Sequence, residues 1–517
     1  WVNNGRTRPG SNGALDQDLP LPANDAGAAN CAQGQITCPR DLENLFRLWI
    51  RGVPQLPSTQ GYTVTLSMSA VSGAPAINLY LSSDPQGGTG YLTDTNAAAE
   101  QARTEMSPNP EFGLALATVN AQQSYTLPPD FFDYHYPYYS RFLFEGAGIG
   151  EGQLILTLAQ NGNPLAQTSV YLDIHDIKDL YEQAHVTNVA TTYPAMVNST
   201  NASGYALDHQ LPLNSAETNQ MIVFVHGWRM TQFDYQSFSD TMFKRLYWSG
   251  YQGRFAALRW PTLSTDTTGD ISQYFTYNRS EHIAFDSAIG ASAYFDSLKA
   301  RFPGYSINVA AHSMGNIVMM ETLKDQLAAG HKAIDNYVMM QAAVPAQCYD
   351  TSLANYSVFT TAEASHPTPD IYRGYPGAIS DALNGKMVNF FNTNDFALAT
   401  GVKYGVQANW EKNQVDNKPD LYWSYYYDGT IATCLYGNSR VVTDPHELMP
   451  FVSRPRSKAV GALGGVNGVI RGSEVDLTGG FNFRGDSTEH SAQFNWSIQR
   501  LGPFYTELLA NLFPQNP

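Results

Sequence analysis

The first half of the chain alternates apolar and polar residues with a period of two. Four segments carry this pattern between glycine, proline and asparagine residues, namely YTVTLSMSAV, AINLYLSSD, QLILTLAQNG and TSVYLDIHDI. Such alternation is typical of strands with one buried face. The pair Asn161-Gly162 is typical of a tight hairpin turn. We therefore predict an all-β, sandwich-like domain over residues 41–182.

The segments that border this β domain have other patterns. Residues 1–40 are rich in Gly, Asn, Asp and Pro and indicate a loop-rich N-terminal segment. The segment DLENLFRLWI repeats its apolar residues every three to four positions behind Asp41, which would be the N-cap of a short leading helix. Residues 183–219 are polar, and we interpret them as a linker.

From Met221 onward the period changes, and short β-branched runs alternate with helical segments. The predicted strands are MIVFVHGW, RFAALRWP, YSINVAA, NYVMMQAAV and KMVNFFNT. Strands separated by helices imply parallel crossover units. We predict an α/β domain over residues 220–517, with a mostly parallel sheet, helices on both faces, and insertions at about 345–385 and 400–457.

Composition and charge narrow the classes of partner. Charged residues make up 15% of the chain, and the formal net charge is −16. An acidic surface poor in Lys and Arg repels phosphate backbones, so we expect no nucleic-acid partner. We find no apolar run of about 18 residues, so we predict no transmembrane segment.

The four cysteines bear on the compartment. Cys31 and Cys38 flank a short loop-like segment, and we expect a disulfide between them. A second bridge between Cys348 and Cys434 is a further expectation. Such bridges indicate a secreted, cell-surface or periplasmic protein. Free thiols in a cytosolic protein are the alternative.

The segment NVAAHSMGNIVMM places Ser313 between a strand-like run and a helix-like run. A tight strand-to-helix turn exposes its central side chain and needs small residues two positions before and after it. Ala311 and Gly315 meet this need, and Ala311 replaces the first glycine of the usual G-x-S-x-G pattern. The helix N-terminus favours developing negative charge beside the serine. Ser313 is therefore the predicted nucleophile.

A nucleophilic serine needs a base that an acid holds in place. The acid is expected after a later strand and the histidine near the C-terminus. The segment KMVNFFNTNDFAL places Asp395 directly after a strand, and DSTEHSAQFNWSIQ places His490 before the last amphipathic helix. Asp370 and Asp420 are alternative acids, and His446 is an alternative base.

An earlier strand, MIVFVHGWRM, ends where oxyanion donors are expected. Gly227 lets the backbone approach the site, so the N–H of Trp228 can face the carbonyl oxygen, with the N–H of Met314 as its partner. His226 and His312 flank these motifs. We expect both histidines to have structural roles, as hydrogen-bonding groups that hold the oxyanion region.

The motifs VHGW, AHSMGN, NTNDFAL and HSAQF together resemble an α/β-hydrolase of the serine esterase and lipase type. They are most similar to the bacterial group whose nucleophile turn reads A-H-S-M-G, and the resemblance covers about residues 215–515. It implies the α/β-hydrolase fold. It also implies a nucleophile, an acid, a base and two oxyanion donors, which are Ser313, Asp395, His490, Trp228 and Met314.

The reaction expected from these residues is hydrolysis of a carboxylic ester, small or polymeric, through an acyl-enzyme on Ser313. An amidase or peptidase, or a polyester-degrading hydrolase, could use the same triad. A non-catalytic binding module of a larger surface protein is the rival from another class, because a fold alone does not settle function.

Aromatic residues are the candidate substrate contacts. The second insertion, NWEKNQVDNKPDLYWSYYYDG, contains Tyr422 and Trp423, which with Trp228 could line an acyl cleft or merely pack the insertion onto the sheet. No cofactor or metal is predicted. Three acids of LDQDLPLPANDAG could hold Ca²⁺, although their spacing matches no EF-hand, namely Asp16, Asp18 and Asp25.

Overall fold

The structure is a computed structural model of the 517-residue chain. It describes residues 2–3, 41–42, 46–50, 60–81, 116–128, 141–175, 177–191, 202–211, 218–248, 251, 253–262, 270–344, 377–395, 397–398, 425–427, 432–434, 441–442, 459–462, 473–478, 490–495 and 504–514.

The N-terminal part contains one eight-stranded sheet. Its strands are β1 (Val2–Asn3), β2 (Asp41–Leu42), β3 (Phe46–Trp49), β4 (Tyr62–Leu81), β5 (Ala117–Asn120), β6 (Tyr125–Thr126), β7 (Arg141–Gln160) and β8 (Asn163–His175). All pairs are antiparallel except β2 with β8. The described strands form a single sheet, and a two-layered sandwich stays a prediction.

Strands β4 and β7 pair along their whole length and form the longest strand pair of this sheet. Val64, Leu66 and Met68 are buried at every second position, as the alternating pattern predicts. Register shifts between Ala70 and Ile77 interrupt the pairing, and such bulges bend a strand. The predicted hairpin turn between β7 and β8 is confirmed, because Asn161 and Gly162 have φ of 49° and 82°.

The prediction of a short leading helix is wrong. The segment DLENLFRLWI contributes strands β2 and β3 instead, and β3 pairs antiparallel with the start of β7. Leu48 and Ile50 are buried at alternate positions. Aromatic and branched residues gain more from packing on a neighbouring strand than the helical pattern offers locally, so tertiary contacts override it.

The second large sheet also has eight strands, in the order β10-β9-β12-β11-β13-β14-β15-β19. They are β9 (Glu182–Thr187), β10 (Gly204–His209), β11 (Gln220–Val225), β12 (Arg254–Arg259), β13 (Ser306–His312), β14 (Tyr337–Met340), β15 (Met387–Phe391) and β19 (Glu474–Asp476). Only the β9–β10 pair is antiparallel. The five strands predicted from the α/β pattern are confirmed as β11 to β15.

The interpretation of residues 183–219 as a linker needs correction. Most of β9 and all of β10 lie in that range, and β9 is hydrogen-bonded to β12 within the second sheet. Strand β10 is an edge strand with mostly half-buried residues, so its polar composition hides its membership of the sheet. This sheet therefore begins at Glu182.

Helices cover both faces of the second sheet, as predicted. They are α1 (Gln232–Trp248), α2 (Asp270–Arg301), α3 (Gly315–Ala329), α4 (Ala492–Asn495) and α5 (Phe504–Leu512). One apolar cluster joins α1 and α5 to Ile222 and Phe224, whereas a second cluster joins α2 and α3 to Val223 and Val225. Alternate residues of this buried parallel strand thus pack on opposite faces of the sheet. No helix in the described ranges is long and apolar enough to cross a membrane.

The predicted insertions contain short elements. A 3-10 helix at Gly377–Ala382 falls within the first insertion. A three-stranded sheet of β16 (Tyr425–Tyr427), β17 (Ala432–Cys434) and β18 (Val441–Val442) falls within the second. After the second insertion the chain returns as a buried 3-10 helix at Val460–Ala462, beside the end of β14.

A buried ion-pair cluster marks the junction between the two large sheets. The Glu182 carboxylate accepts hydrogen bonds from Arg254 at 2.7 Å and from Arg301 at 3.0 Å. Burial raises the pKa of Glu182, and the two guanidinium groups oppose that rise. Leu180 and Tyr181, which precede Glu182 in the sequence, belong to an apolar cluster that also contains residues of both sheets. The junction is therefore part of a continuous core.

Candidate active site

The turn between β13 and α3 holds Ser313 in a left-handed backbone conformation, with φ of 52°. A residue with a side chain adopts this conformation at a cost, and such residues concentrate at functional sites. Two hydrogen bonds hold the turn: the Ser313 N–H donates to Met340 O at 3.0 Å, and the Ala343 N–H donates to Ser313 O at 3.1 Å. The strand-to-helix turn predicted from the sequence is confirmed.

Two glycines bring the turns after β11 and β13 together. A Cβ on Gly315 would lie 2.3 Å from the carbonyl oxygen of His226. A Cβ on Gly227 would lie 2.9 Å from the Cβ of Ser313. Neither approach is open to a residue with a side chain. The predicted oxyanion turn therefore lies directly against the serine turn.

A buried amide, which the sequence did not point to, fixes the serine turn from inside. Asn316 donates from Nδ2 to the carbonyl oxygens of Ala311, at 3.0 Å, and of Ser313, at 2.9 Å. Its Oδ1 accepts the hydroxyl of Tyr337 at 2.6 Å. Burial raises the pKa of Tyr337 well above its usual value, so the phenol stays a neutral donor.

Asp395 and His490, which lie far apart in the sequence, meet in the structure. The Nδ1 atom of His490 lies 2.7 Å from Oδ2 of Asp395. The Asp395 side chain is fully buried, whereas 12% of the His490 side chain is exposed. An ionised carboxylate only accepts hydrogen bonds, so Nδ1 carries the proton and Nε2 is left to accept one.

Three further donors hold the Asp395 carboxylate. The backbone N–H groups of Ala397 and Leu398 donate to Oδ1 at 2.8 and 3.1 Å. The side-chain amide of Gln341 donates to Oδ2 at 2.7 Å. Hydrogen bonds to the charged form stabilise a buried carboxylate. Nothing in the sequence around Gln341 indicated this contact.

His312 links the serine turn to the loop that carries His490. Its Nε2 atom lies 3.0 Å from the carbonyl oxygen of His490, and the two imidazole ring centroids are 4.8 Å apart. A carbonyl only accepts, so Nε2 of His312 carries the proton. Burial lowers the pKa of His312 well below its usual value, so this ring is neutral. The sequence predicts that His312 holds the oxyanion region, whereas its hydrogen bond holds the His490 loop.

His226 lies under the oxyanion turn and is fully buried. Its Nε2 accepts the N–H of Trp260 at 3.2 Å, so Nδ1 carries the proton and donates to Gly227 O at 2.8 Å. The His226 ring stacks on Trp260 with centroids 5.5 Å apart. Burial lowers the pKa of His226 to about 4. This histidine has the structural role expected from the sequence.

The two predicted oxyanion donors follow residues of the two turns in contact: Met314 follows Ser313, and Trp228 follows Gly227. Met314 is buried and is the N-cap residue of α3. Trp228 is half-buried, its ring packs on the cluster that contains Met314, and the Arg229 guanidinium lies 5.4 Å from the ring centroid. The first N–H groups of a helix lack partners within that helix, so this end of α3 presents donors.

Several sequence predictions fall outside the described residues or side chains. These are the alternative triad residues Asp370, Asp420 and His446, the aromatic residues Tyr422 and Trp423, the acids Asp16, Asp18 and Asp25, and the cysteines Cys31, Cys38, Cys348 and the side chain of Cys434. Among the described side chains, no group of three His, Cys, Asp or Glu residues is placed to bind a metal.

Comparisons with known proteins give one match to a family model and several solved structures with low TM-scores. A family described as alpha/beta hydrolase of unknown function (DUF900) matches residues 205–358, which include the oxyanion turn and Ser313. No curated protein matches the chain.

The solved structures that overlap with this chain are distant. MenH from S. aureus is 13% identical with a TM-score of 0.25, covering 58% of this chain and 97% of its own. The rice cell wall degrading esterase LipA from Xanthomonas oryzae is 11% identical with a TM-score of 0.20, covering 48% of this chain and 76% of its own. TM-scores this low support no argument about function.

The sheet order, the helices on both faces and the left-handed serine turn agree with the family match. Hydrolysis is the general reaction class that this match supports. Residues 205–358 are thus similar to that family, and the sheet and helices from β9 to α5 have the α/β architecture expected of it.

Proposed function

We propose that the protein is a serine hydrolase that cleaves carboxylic esters, with Ser313 as nucleophile, His490 as base and Asp395 as acid. The observation that carries the proposal is the 2.7 Å contact between Asp395 Oδ2 and His490 Nδ1, on a loop that His312 ties to the serine turn. Base and acid thus form one hydrogen-bonded pair, on a loop that contacts the residue next to the strained serine.

The reaction follows from the protons on the histidine. With Nδ1–H donated to Asp395, Nε2 of His490 takes the proton of Ser313 as its oxygen attacks the ester carbonyl. The tetrahedral intermediate collapses when His490 returns that proton to the leaving alkoxide, which forms the acyl-enzyme. Water then attacks by the same proton path and releases the acid.

The developing oxyanion would be held by the backbone N–H groups of Trp228 and Met314. Support for this part is the close contact of Gly227 with the Ser313 Cβ, which brings the Trp228 turn to the nucleophile. Preorganised donors at such a position contribute about 3–4 kcal/mol to transition-state stabilisation. The Met314 N–H adds the favourable field of the α3 N-terminus.

The test combines a covalent probe with a substrate series. A fluorophosphonate probe, which reacts only with activated serines, should label the protein but not Ser313→Ala. Hydrolysis of p-nitrophenyl esters from acetyl to palmitoyl should depend on Ser313, and we expect Ser313→Ala to lower kcat by about 10⁵-fold or more. Circular dichroism and thermal unfolding should match for both proteins.

The outcomes separate the rival functions. Hydrolysis at the wild-type rate by Ser313→Ala would refute the assignment of the nucleophile. Labelling without hydrolysis of any ester would favour the amidase, peptidase or polyester alternative. Neither labelling nor hydrolysis would favour the non-catalytic binding module.

A further inference from the structure

Gln341 has two unusual properties for a glutamine. It is fully buried, and its backbone is left-handed, with φ of 45°. It follows β14, the strand between those of Ser313 and Asp395, and its side chain reaches the carboxylate rather than solvent. A residue with a side chain in this conformation is retained where the surrounding structure imposes it.

The backbone around Gln341 is fixed on two sides. Its N–H donates to Phe390 O at 2.9 Å, which ties it to β15. On the other side, Gly461 packs so closely that an added Cβ would lie 2.2 Å from the carbonyl carbon of Gln341. The Gly461 N–H also donates to Ala342 O at 3.0 Å. The Gln341 side chain therefore extends from a backbone whose position is fixed.

The turn of Gln341 also contacts the turn of the nucleophile. Met340 accepts the Ser313 N–H, and Ala343 donates to Ser313 O, so the residues on either side of the Gln341 turn bond to the serine backbone. The same short segment thus holds Ser313 through its main chain and Asp395 through a side chain.

We propose that Gln341 is a positioning residue for the acid, since its amide N–H at Asp395 Oδ2 fixes the carboxylate oxygen that accepts the hydrogen bond from His490 Nδ1. Two donors share that oxygen, each at 2.7 Å, while Oδ1 takes two backbone N–H groups. This inference rests on the proposed triad and adds a residue that the triad does not name.

Two substitutions separate the parts of this role. Gln341→Met keeps the length of the side chain and removes the donor. Gln341→Glu replaces the donor with a second carboxyl group beside Asp395. Gln326→Met is the matched control, because Gln326 is also buried and donates to a carboxylate, Asp296, at 2.9 Å, but lies on α3 away from the triad.

The primary measurement is the pH dependence of the second-order rate constant for fluorophosphonate labelling of Ser313. We expect Gln341→Met to lower this constant about tenfold, because a hydrogen bond to a charged group is lost. Without the Gln341 donor, the negative charge of the Asp395 carboxylate is less neutralised and favours the protonated form of His490 more strongly. We therefore expect the acid limb of the profile to move to higher pH. In Gln341→Glu the two buried carboxyl groups would hold one proton between them, and the introduced O–H could donate to Asp395 Oδ2, so we expect a smaller shift than in Gln341→Met.

Few titratable groups among the described residues face His490 and Asp395. Asp395 faces His490, and His490 faces the neutral ring of His312. A shifted acid limb therefore reports on the Asp395–His490 pair. The control Gln326→Met should lower the melting temperature without moving the limb. An equal fall of the Gln341→Met rate at every pH, with no shift, would overturn the proposal.

A second measurement does not depend on a reactive serine. The Nδ1 proton of His490 should give a downfield NMR signal in the wild type that is absent from His490→Gln. In Gln341→Met we expect this proton to exchange faster with solvent and its signal to broaden, whereas Gln326→Met keeps it sharp. An unchanged signal in Gln341→Met would refute the positioning role. If wild-type Ser313 fails to label, the hydrolase proposal fails, and this signal still decides the role of Gln341.

Discussion

The turn that carries Ser313 and the turn that carries Asp395 are built in different ways. The close approaches of the serine turn involve residues of two short motifs, Gly227, Gly315 and Asn316, and Met340 and Ala343 add two backbone hydrogen bonds. The carboxylate of Asp395 is held by two neighbouring backbone N–H groups and by the side chains of Gln341 and His490, which are 54 and 95 positions away in the sequence. The closest contacts of the first turn thus come from residues of its own motifs, whereas the side chains that hold the acid are brought to it by the assembled fold.

This difference matters for how each turn responds to substitution. A change in the serine turn must act on steric fit, because glycines and buried amides set its geometry. A change in the acid turn acts on charge, because three N–H donors and one imidazole share a single buried carboxylate. The predictions below test this division.

The largest effect is expected at the acid itself. Asn at position 395 would present an amide N–H where His490 and Gln341 now donate, so the imidazole would lose the tautomer that the serine needs. We expect Asp395→Asn to lower kcat by about 10⁴-fold with little change in KM. Steady-state hydrolysis of the best p-nitrophenyl ester checks this, and a loss below about tenfold would show that the acid turn is dispensable.

A smaller effect is expected from the buried histidine under the oxyanion turn. The folded-state pKa of His226 is about 4, below its ordinary 6.5, because burial disfavours the charged ring. Below pH 6.5 the His226 ring therefore binds a proton in the unfolded chain, whereas in the folded chain it binds one only below about pH 4. The free energy of unfolding should fall by about 3 kcal/mol as the pH drops through this window, with no contribution from His226 to the slope above it.

Denaturant unfolding at a series of pH values measures that slope. His226→Gln should flatten it, whereas the same change at the exposed His331 should leave most of it in place. The neutral ring of His312 acts in the same direction, so some slope should survive in His226→Gln. An identical slope in the wild type and in His226→Gln would contradict the prediction.

Steric fit in the serine turn is tested at Gly315. A Cβ there would meet the backbone oxygen of His226 at 2.3 Å, and backbone cannot move aside cheaply. We expect Gly315→Ala to destabilise the fold by about 2 kcal/mol. Gly330→Ala is the comparison, because space is open there and only its left-handed φ of 71° opposes a side chain. Its cost should be about 1 kcal/mol. Equal melting temperatures for Gly315→Ala and the wild type would show that the turn yields.

The smallest effect is expected at Tyr337. Tyr337→Phe removes the hydroxyl that donates to Asn316 Oδ1, yet leaves the amide contacts with Ala311 and Ser313 in place. We expect a loss of about 1 kcal/mol in stability and less than about a tenfold fall in kcat/KM. A larger fall in kcat/KM would mean that the serine turn depends on more than its own motif.

Local pattern was sufficient for the serine turn and for the five strands from β11 to β15. It also pointed to Asp395 and His490 through their chain order, and the structure brings this pair together. It could not find Gln341, because a single glutamine has no sequence signature and its partner lies in the turn after another strand. It failed at β3 for the same reason, since the pairing with β7 outweighs a local helical period.

The ion-pair cluster at Glu182 sets a limit on the smallest chain that can fold with the complete second sheet. A shortened chain that starts at Met221, where the composition changes, would lack two strands and leave the buried Arg254 without its carboxylate. An uncompensated buried charge costs about 3–5 kcal/mol, a large share of the stability of a typical domain. The usable cut lies before Leu180 and Tyr181, whose side chains belong to the core shared with the N-terminal sheet.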